Sequence, residues 1–86
     1  MALVRVRSPL KELAGGRGAH EISGACVAEV VHELERRHPA LRGWITDERG
    51  RIRRHINVFV NGERGDDATE VGPQDRVDVL PAITGG

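Results

Sequence analysis

Cysteine, aromatic side chains and net charge are what this chain has least of. The single cysteine, Cys26, excludes an internal disulfide framework, a multi-cysteine zinc site and a Cys-ligated iron–sulfur cluster. With one Phe, one Trp and no Tyr, the core has to be built from ten Val, five Ile and six Leu. That suffices for one sheet covered by a helix but not for a deep substrate cavity. Basic and acidic residues cancel at 13 each, so no global field draws the chain toward nucleic acid or anionic lipid. No apolar run approaches the ~18 residues of a membrane span. The opening MALVRVRSPLKELAG turns charged too early to hold a signal-peptide apolar region. The expectation is a soluble, cytoplasmic protein with neither nucleic acid nor membrane as partner. At 86 residues it has room for one domain and points to a module that serves a larger partner.

The apolar residues that are present carry clear periods. In Leu3–Arg7, Val4 and Val6 alternate with Arg5 and Arg7, as in a half-buried strand. Ser8–Leu13 reads as a short helical turn, Gly15, Gly16 and Gly18 as a return loop, and Ala19–Ser23 as a second strand antiparallel to the first. From Gly24 to His38, Val27, Val30, Val31 and Leu34 fall at i, i+3, i+4 and i+7 and define one helix face. Glu29, Glu33, Glu35, Arg36 and Arg37 fill the remainder, and Pro39 stops the helix. Leu41, Trp44 and Ile45 are expected as an irregular lid over one end of the core. Ile56–Val60 is the strongest strand, and Asn61-Gly62 behind it tolerates the positive φ of a tight hairpin. Gly72–Asp75 turns the chain into a last strand, Arg76–Leu80, which Pro81 ends. A long helix between two hairpin-like halves, with apolar first and last strands, describes an α+β fold of the β-grasp (ubiquitin-like) kind: a mixed sheet packed on one main helix. Residues 1–81 form that domain, and residues 82–86 a flexible C-terminal tail ending in Gly-Gly.

Most candidate chemistry dissolves on inspection. His32-Glu33 begins like a zinc-protease motif, but the next helical histidine is His38, six residues on and off the i, i+4 face a zinc pair needs. Gly15-Gly16-Arg17-Gly18 lacks the Lys-Ser/Thr ending of a phosphate-binding loop. Cys26, near the helix start, has no base beside it in sequence and reads as structural. Arg49, Arg51, Arg53 and Arg54, with His55, form a basic run that reads as a solvated loop or a docking surface for a protein. No metal and no cofactor is expected to bind.

The ending LPAITGG is different, because packing gives a globular domain no reason to finish this way. Gly85 and Gly86 lack side chains and can thread a narrow channel, placing the terminal carboxylate beside a nucleotide in another protein. From Pro81 to Gly86 the extended chain reaches roughly 20 Å. Strand alternation adds a surface: if the valines face the helix, Arg5, Arg7, Asn57, Phe59, Asp78 and Leu80 face outward. Phe59 and Leu80, rimmed by Arg5 and Arg7 and leading into Pro81, Ala82, Ile83 and Thr84, would make an apolar docking spot near the tail. Alternatively, a loop such as 49–54 covers Phe59.

Three segments, PLKELAGG (Pro9–Gly16), INVFVNGE (Ile56–Glu63) and GPQDRVDVLPAITGG (Gly72–Gly86), resemble in order and spacing the ubiquitin-like sulfur carriers of the MoaD/ThiS/CysO family, nearer the CysO and MoaD branches. Cys26 departs from the threonine often found at the helix start. The resemblance implies a cycle centred on Gly86. A MoeB/ThiF-type, E1-like enzyme uses Mg-ATP to adenylate the carboxylate, and a sulfur donor, sulfide or a persulfide enzyme, displaces AMP. The resulting thiocarboxylate gives its sulfur to an accepting synthase in the biosynthesis of cysteine, molybdopterin or a sulfur-containing secondary metabolite. The chain would then be a carrier, a co-substrate and not an enzyme. Two other readings stay open: a modifier joined to lysines through Gly86, and a non-covalent β-grasp interaction module.

Overall fold

Alternation in the first and last strands decides the centre of the sheet. In the computed structural model, which describes residues 1–81, β1 (Ala2–Val6) runs parallel to β5 (Arg76–Pro81), with Val4 opposite Val77 and Val6 opposite Val79. On one side β2 (Ala19–Ile22) joins β1 antiparallel; on the other β3 (Ile56–Val60) joins β5 antiparallel, and the short β4 (Glu63–Gly65) closes the edge. The order is β2-β1-β5-β3-β4, with the two chain ends side by side in the middle, which is the β-grasp topology. A parallel pair needs a long crossover and cannot be joined by a tight turn. Here everything between β1 and β5 supplies it.

Two helices cover one face. α1 is the single turn Leu10–Leu13, and α2 is Val27–Arg37, whose Val27, Val30, Val31 and Leu34 are fully buried. They form one apolar cluster with Val4, Val58, Val77 and Val79 from the sheet. Each such side chain removed from water contributes roughly 1.5–3 kcal/mol. The helix begins three residues later than the expected Gly24. Cys26 is extended (φ −148°, ψ 168°) and bridges Glu70, while the Val27 and Ala28 amides donate to the carbonyls of Thr69 and Asp67. The 66–71 segment thus satisfies donors that a longer helix would have used itself. At the other end Arg36 and Arg37 both hold Glu33, at 2.6 and 2.9 Å, and hydrogen bonds from first Arg36 and then Arg37 bring its carboxyl down to about 2.

Asn61 (φ 52°) and Gly62 (φ 86°) make the hairpin turn between β3 and β4. The outer edge strand β4 escaped the sequence pattern because Glu63-Arg64-Gly65 carries no apolar alternation; register with β3 alone makes it a strand. The lid expectation needs correcting. Leu41 and Ile45 are fully buried, but Trp44 is 47% exposed, so the aromatic adds little to the core. Glu35 also departs from expectation: it is buried, its two carboxylate oxygens accepting the Thr46 hydroxyl (2.6 Å) and amide (3.2 Å). Among the described residues no helix is long and apolar enough to cross a membrane. The expectations for a flexible tail over 82–86 lie outside the described residues.

Candidate functional site

The outer face of the sheet, opposite the helices, collects the residues whose neighbours along each strand are buried. One row runs Ala19, Arg5, Asp78, Phe59, Arg64 across all five strands, each residue opposite the next in register. Arg5 grips Asp78 in a two-pronged pair, Nε to Oδ1 at 2.6 Å and Nη2 to Oδ2 at 3.2 Å, and that carboxylate raises the Arg5 guanidinium pKa. Arg64 donates to the Asn57 side-chain carbonyl at 2.8 Å. Beside Phe59, Arg5 and Asp78 are thus tied to each other and Arg64 is held by a neutral amide.

Arg5, Arg7, Phe59, Asp78 and Leu80 then line one open depression of about 390 Å³. Phe59 and Leu80 are half-buried, and Arg5 and Arg7 are exposed. The loop 49–54 does not border this depression; it borders another cavity, beside the start of β3. The structure therefore brings five of the residues expected to face outward together: Arg5, Arg7, Phe59, Asp78 and Leu80. Pro81, half-buried at the end of β5, pairs with Ile56 and is the last described residue. Ala82, Ile83, Thr84, Gly85 and Gly86 lie outside the described residues.

Two of the histidines are occupied by backbone carbonyls. His32 Nε2 lies 2.7 Å from the Gly50 carbonyl, and His20 Nε2 lies 2.8 Å from that of Arg17. His20 and His38 meet edge to face at 4.9 Å, and burial, followed by the charges around it, lowers the His38 pKa. Cys26 is half-buried and makes no side-chain cap to α2. Among the described residues no group of three or more His, Cys, Asp or Glu is placed to hold a metal ion. The face can bind and orient; its side chains form no nucleophile–base pair.

Sequence reasoning missed Asn61 as a side chain. Its amide donates to Asp75 at 2.9 Å and its carbonyl accepts the Arg76 amide at 2.9 Å, tying the hairpin tip to the start of β5. The turn signal named this residue for its backbone, and nothing in the pattern pointed across the sheet.

Comparison with known proteins adds what geometry leaves open. The ThiS family matches residues 4–86. The sulfur carrier protein CysO of Mycobacterium tuberculosis is 29% identical over 89 residues, covering 96% of each chain. Small archaeal modifier protein 1 of Haloferax volcanii is 35% identical over 81 residues, covering 90% of this chain and 91% of its own. Among solved structures, a chain of the Amycolatopsis orientalis BexX/CysO complex superposes with a TM-score of 0.88 at 32% identity, with complete coverage of both chains.

Proposed function

This chain belongs to the ThiS family, and from that premise we propose that it is a cytoplasmic sulfur carrier whose reactive group is the carboxylate of Gly86. The observation that carries the reading is the ending: the family match runs through LPAITGG to the last residue, directly after a strand held at the centre of the sheet. The body fixes where the tail starts, and the tail reaches into the partner.

A carboxylate is a poor electrophile. An E1-like adenylating enzyme would join the Gly86 carboxylate to AMP using Mg-ATP, releasing pyrophosphate. Sulfide, or the terminal sulfur of an enzyme persulfide, then attacks the acyl carbon; the C–S bond forms, the bond to the AMP oxygen breaks, and AMP leaves. With a persulfide, reductive cleavage of the remaining S–S bond by a thiol frees the thiocarboxylate. A sulfur-accepting synthase takes the sulfur next. The carrier contributes positioning, raising the effective concentration of a tethered nucleophile without releasing free sulfide. ATP and magnesium belong to the activating enzyme, and the chain acts as co-substrate, not catalyst. Gly85 keeps the last residues narrow enough to thread, and the face around Phe59 and Leu80, with Arg5 and Arg7, is the surface we assign to docking. That the similar fold in the BexX/CysO complex is crystallised with a second protein supports a partner-dependent role.

A second reading has its own support, since the archaeal relative at 35% identity is named a modifier. There the same adenylate would be attacked by a lysine amine, giving an amide. Carrier-dependent ATP–pyrophosphate exchange tests the shared step: full-length protein should support it with an E1-like enzyme, and protein lacking Gly85-Gly86 should not. Higher-mass lysine adducts in lysate would favour the modifier. Exchange that survives the deletion would overturn both.

A further inference from the structure

The basic run at 49–54 stands apart from the depression around Phe59. Three of its neighbouring carboxylates accept backbone amides, and the fourth, Glu48, is exposed and forms no ion pair among the described residues. Asp47 accepts the amides of Arg49 (2.9 Å) and Arg51 (3.0 Å), Asp67 accepts that of Ile52 (3.1 Å), and Asp66 that of Ala68 (2.9 Å). Among the described residues the ion pairs use Arg5, Arg36, Arg37 and Arg76; Arg49, Arg51, Arg53 and Arg54 make none. Arg53 goes further: its Nε is buried and has no hydrogen-bond partner. A buried donor without an acceptor costs about 1–3 kcal/mol.

The loop is also held in place before anything binds. Thr46 bridges Ile52, Glu35 holds Thr46, and the His32 ring meets the Gly50 carbonyl. Arg53, Arg54 and Arg64 line a cavity of about 240 Å³ together with Asp66, Asp67 and Ile56, the residue paired with Pro81. Arg53 and Arg54 therefore lie beside the end of β5, the last described strand. Arg53 donates its amide to the Ile45 carbonyl, which sets the exposed Trp44 one residue from this contact.

We propose that this arginine loop is a second docking element, one that receives an acidic surface of Asp and Glu side chains on the enzyme that takes up the tail. The proposal rests on the carrier reading above and adds the chemistry of the partner's contact. Arginine beside a lone exposed tryptophan is the composition of a protein–protein hot spot. A nucleic-acid strand needs several aromatic platforms for successive bases, and the chain's other aromatic, Phe59, lines the separate depression. Rim charges of this kind act mainly on encounter, over a screening length of about 8 Å at 0.15 M salt, so their signature is a salt-dependent KM.

The test reverses two of the three exposed members. Arg51→Glu/Arg54→Glu should raise the KM for the carrier in ATP–pyrophosphate exchange by about tenfold or more, leave kcat within about twofold and flatten the salt dependence. Arg51→Lys/Arg54→Lys, which keeps the charge, should restore most of it. An unchanged urea midpoint for the reversal variant confirms that the fold is intact. If the reversal variant matches wild type in KM and salt response, the arginine loop is not the docking element and the carrier role stands. If KM is unchanged but wild type binds a single-stranded RNA oligomer at 0.15 M salt and the variant does not, the loop serves nucleic acid and the proposal is overturned. Wild type that supports no exchange overturns the carrier reading and this proposal with it.

Discussion

Replacing Glu35 by alanine should destabilise the protein by about 2–4 kcal/mol, although Glu35 reads as one more charge on the polar side of α2. The carboxylate is 6% exposed, as is Thr46, whose hydroxyl and amide it accepts at 2.6 and 3.2 Å. Alanine leaves both donors buried without an acceptor, at about 1–3 kcal/mol each, partly offset because a desolvated charge is also removed. Against a total of about 4–13 kcal/mol for 86 residues, the loss is a large share. With a urea slope of about 1–3 kcal/mol per M, the midpoint should fall by about 1–2 M. Thr46→Val should cost about 1.5–3 kcal/mol, since one carboxylate oxygen loses its donor. The double variant should lose at least about 1 kcal/mol less than the sum, because the two groups act on each other. Amide exchange at Ile52 and Arg53 should quicken in both single variants, since the loop hangs from this contact. A Glu35→Ala midpoint within about 0.3 M of wild type, or strict additivity in the cycle, would refute the reasoning.

Other outcomes follow from the same contacts. A Cβ on Gly24 would lie 2.7 Å from Val30 Cγ2 and 2.8 Å from the Val30 backbone nitrogen, so Gly24→Ala should cost about 1–3 kcal/mol, read as a lower melting temperature. Because burial lowers the His38 pKa from its ordinary 6.5, the unfolded chain binds a proton there first. Stability should therefore be full above pH 6.5 and decline as pH falls through the folded pKa, a slope that His38→Gln removes when urea midpoints are compared across pH. Asp47, held low mainly by the Arg51 amide, and Asp75, held low by the Gly72 amide and Asn61, add a second decline. Their stabilisation is complete above the unfolded value of 3.8 and disappears as pH falls through their folded values. Phe59→Ala should weaken binding to the adenylating enzyme about tenfold while lowering stability by only about 1 kcal/mol, as titration calorimetry and urea unfolding would show. Unchanged binding would remove Phe59 from the docking face.

The strands of this fold were legible because alternation is a local signal: Val4/Val6, Val58/Val60 and Val77/Val79 each declare a buried face within five residues. Their parallel pairing at the centre could be inferred from two apolar strands at the chain ends. What stayed hidden depends on contacts between distant segments. The late start of α2 at Val27 is set by carbonyls of 66–71, and β4 by register with β3. Glu35 had a faint signal, lying at i+4 from Val31 and i+8 from Val27, on the flank of the apolar stripe; its partner Thr46 had none. Trp44 misled because a large aromatic in a short core invites burial, whereas Leu41 and Ile45 already fill that space. Of the candidate site, the outward set around Phe59 followed from strand parity alone. The unpaired state of the arginine loop did not, because the Asp47 and Asp67 beside it look like salt-bridge partners until their amide bonds are seen.

The central claim is that the chemistry sits on the last carboxylate. Intact-protein mass spectrometry after incubation with an E1-like enzyme, Mg-ATP and sulfide tests it most directly, with fragmentation to locate the change. The account predicts a gain equal to one oxygen replaced by one sulfur, confined to Gly86. An unmodified mass with an enzyme that adenylates the chain, or a sulfur located on Cys26 instead, would contradict it.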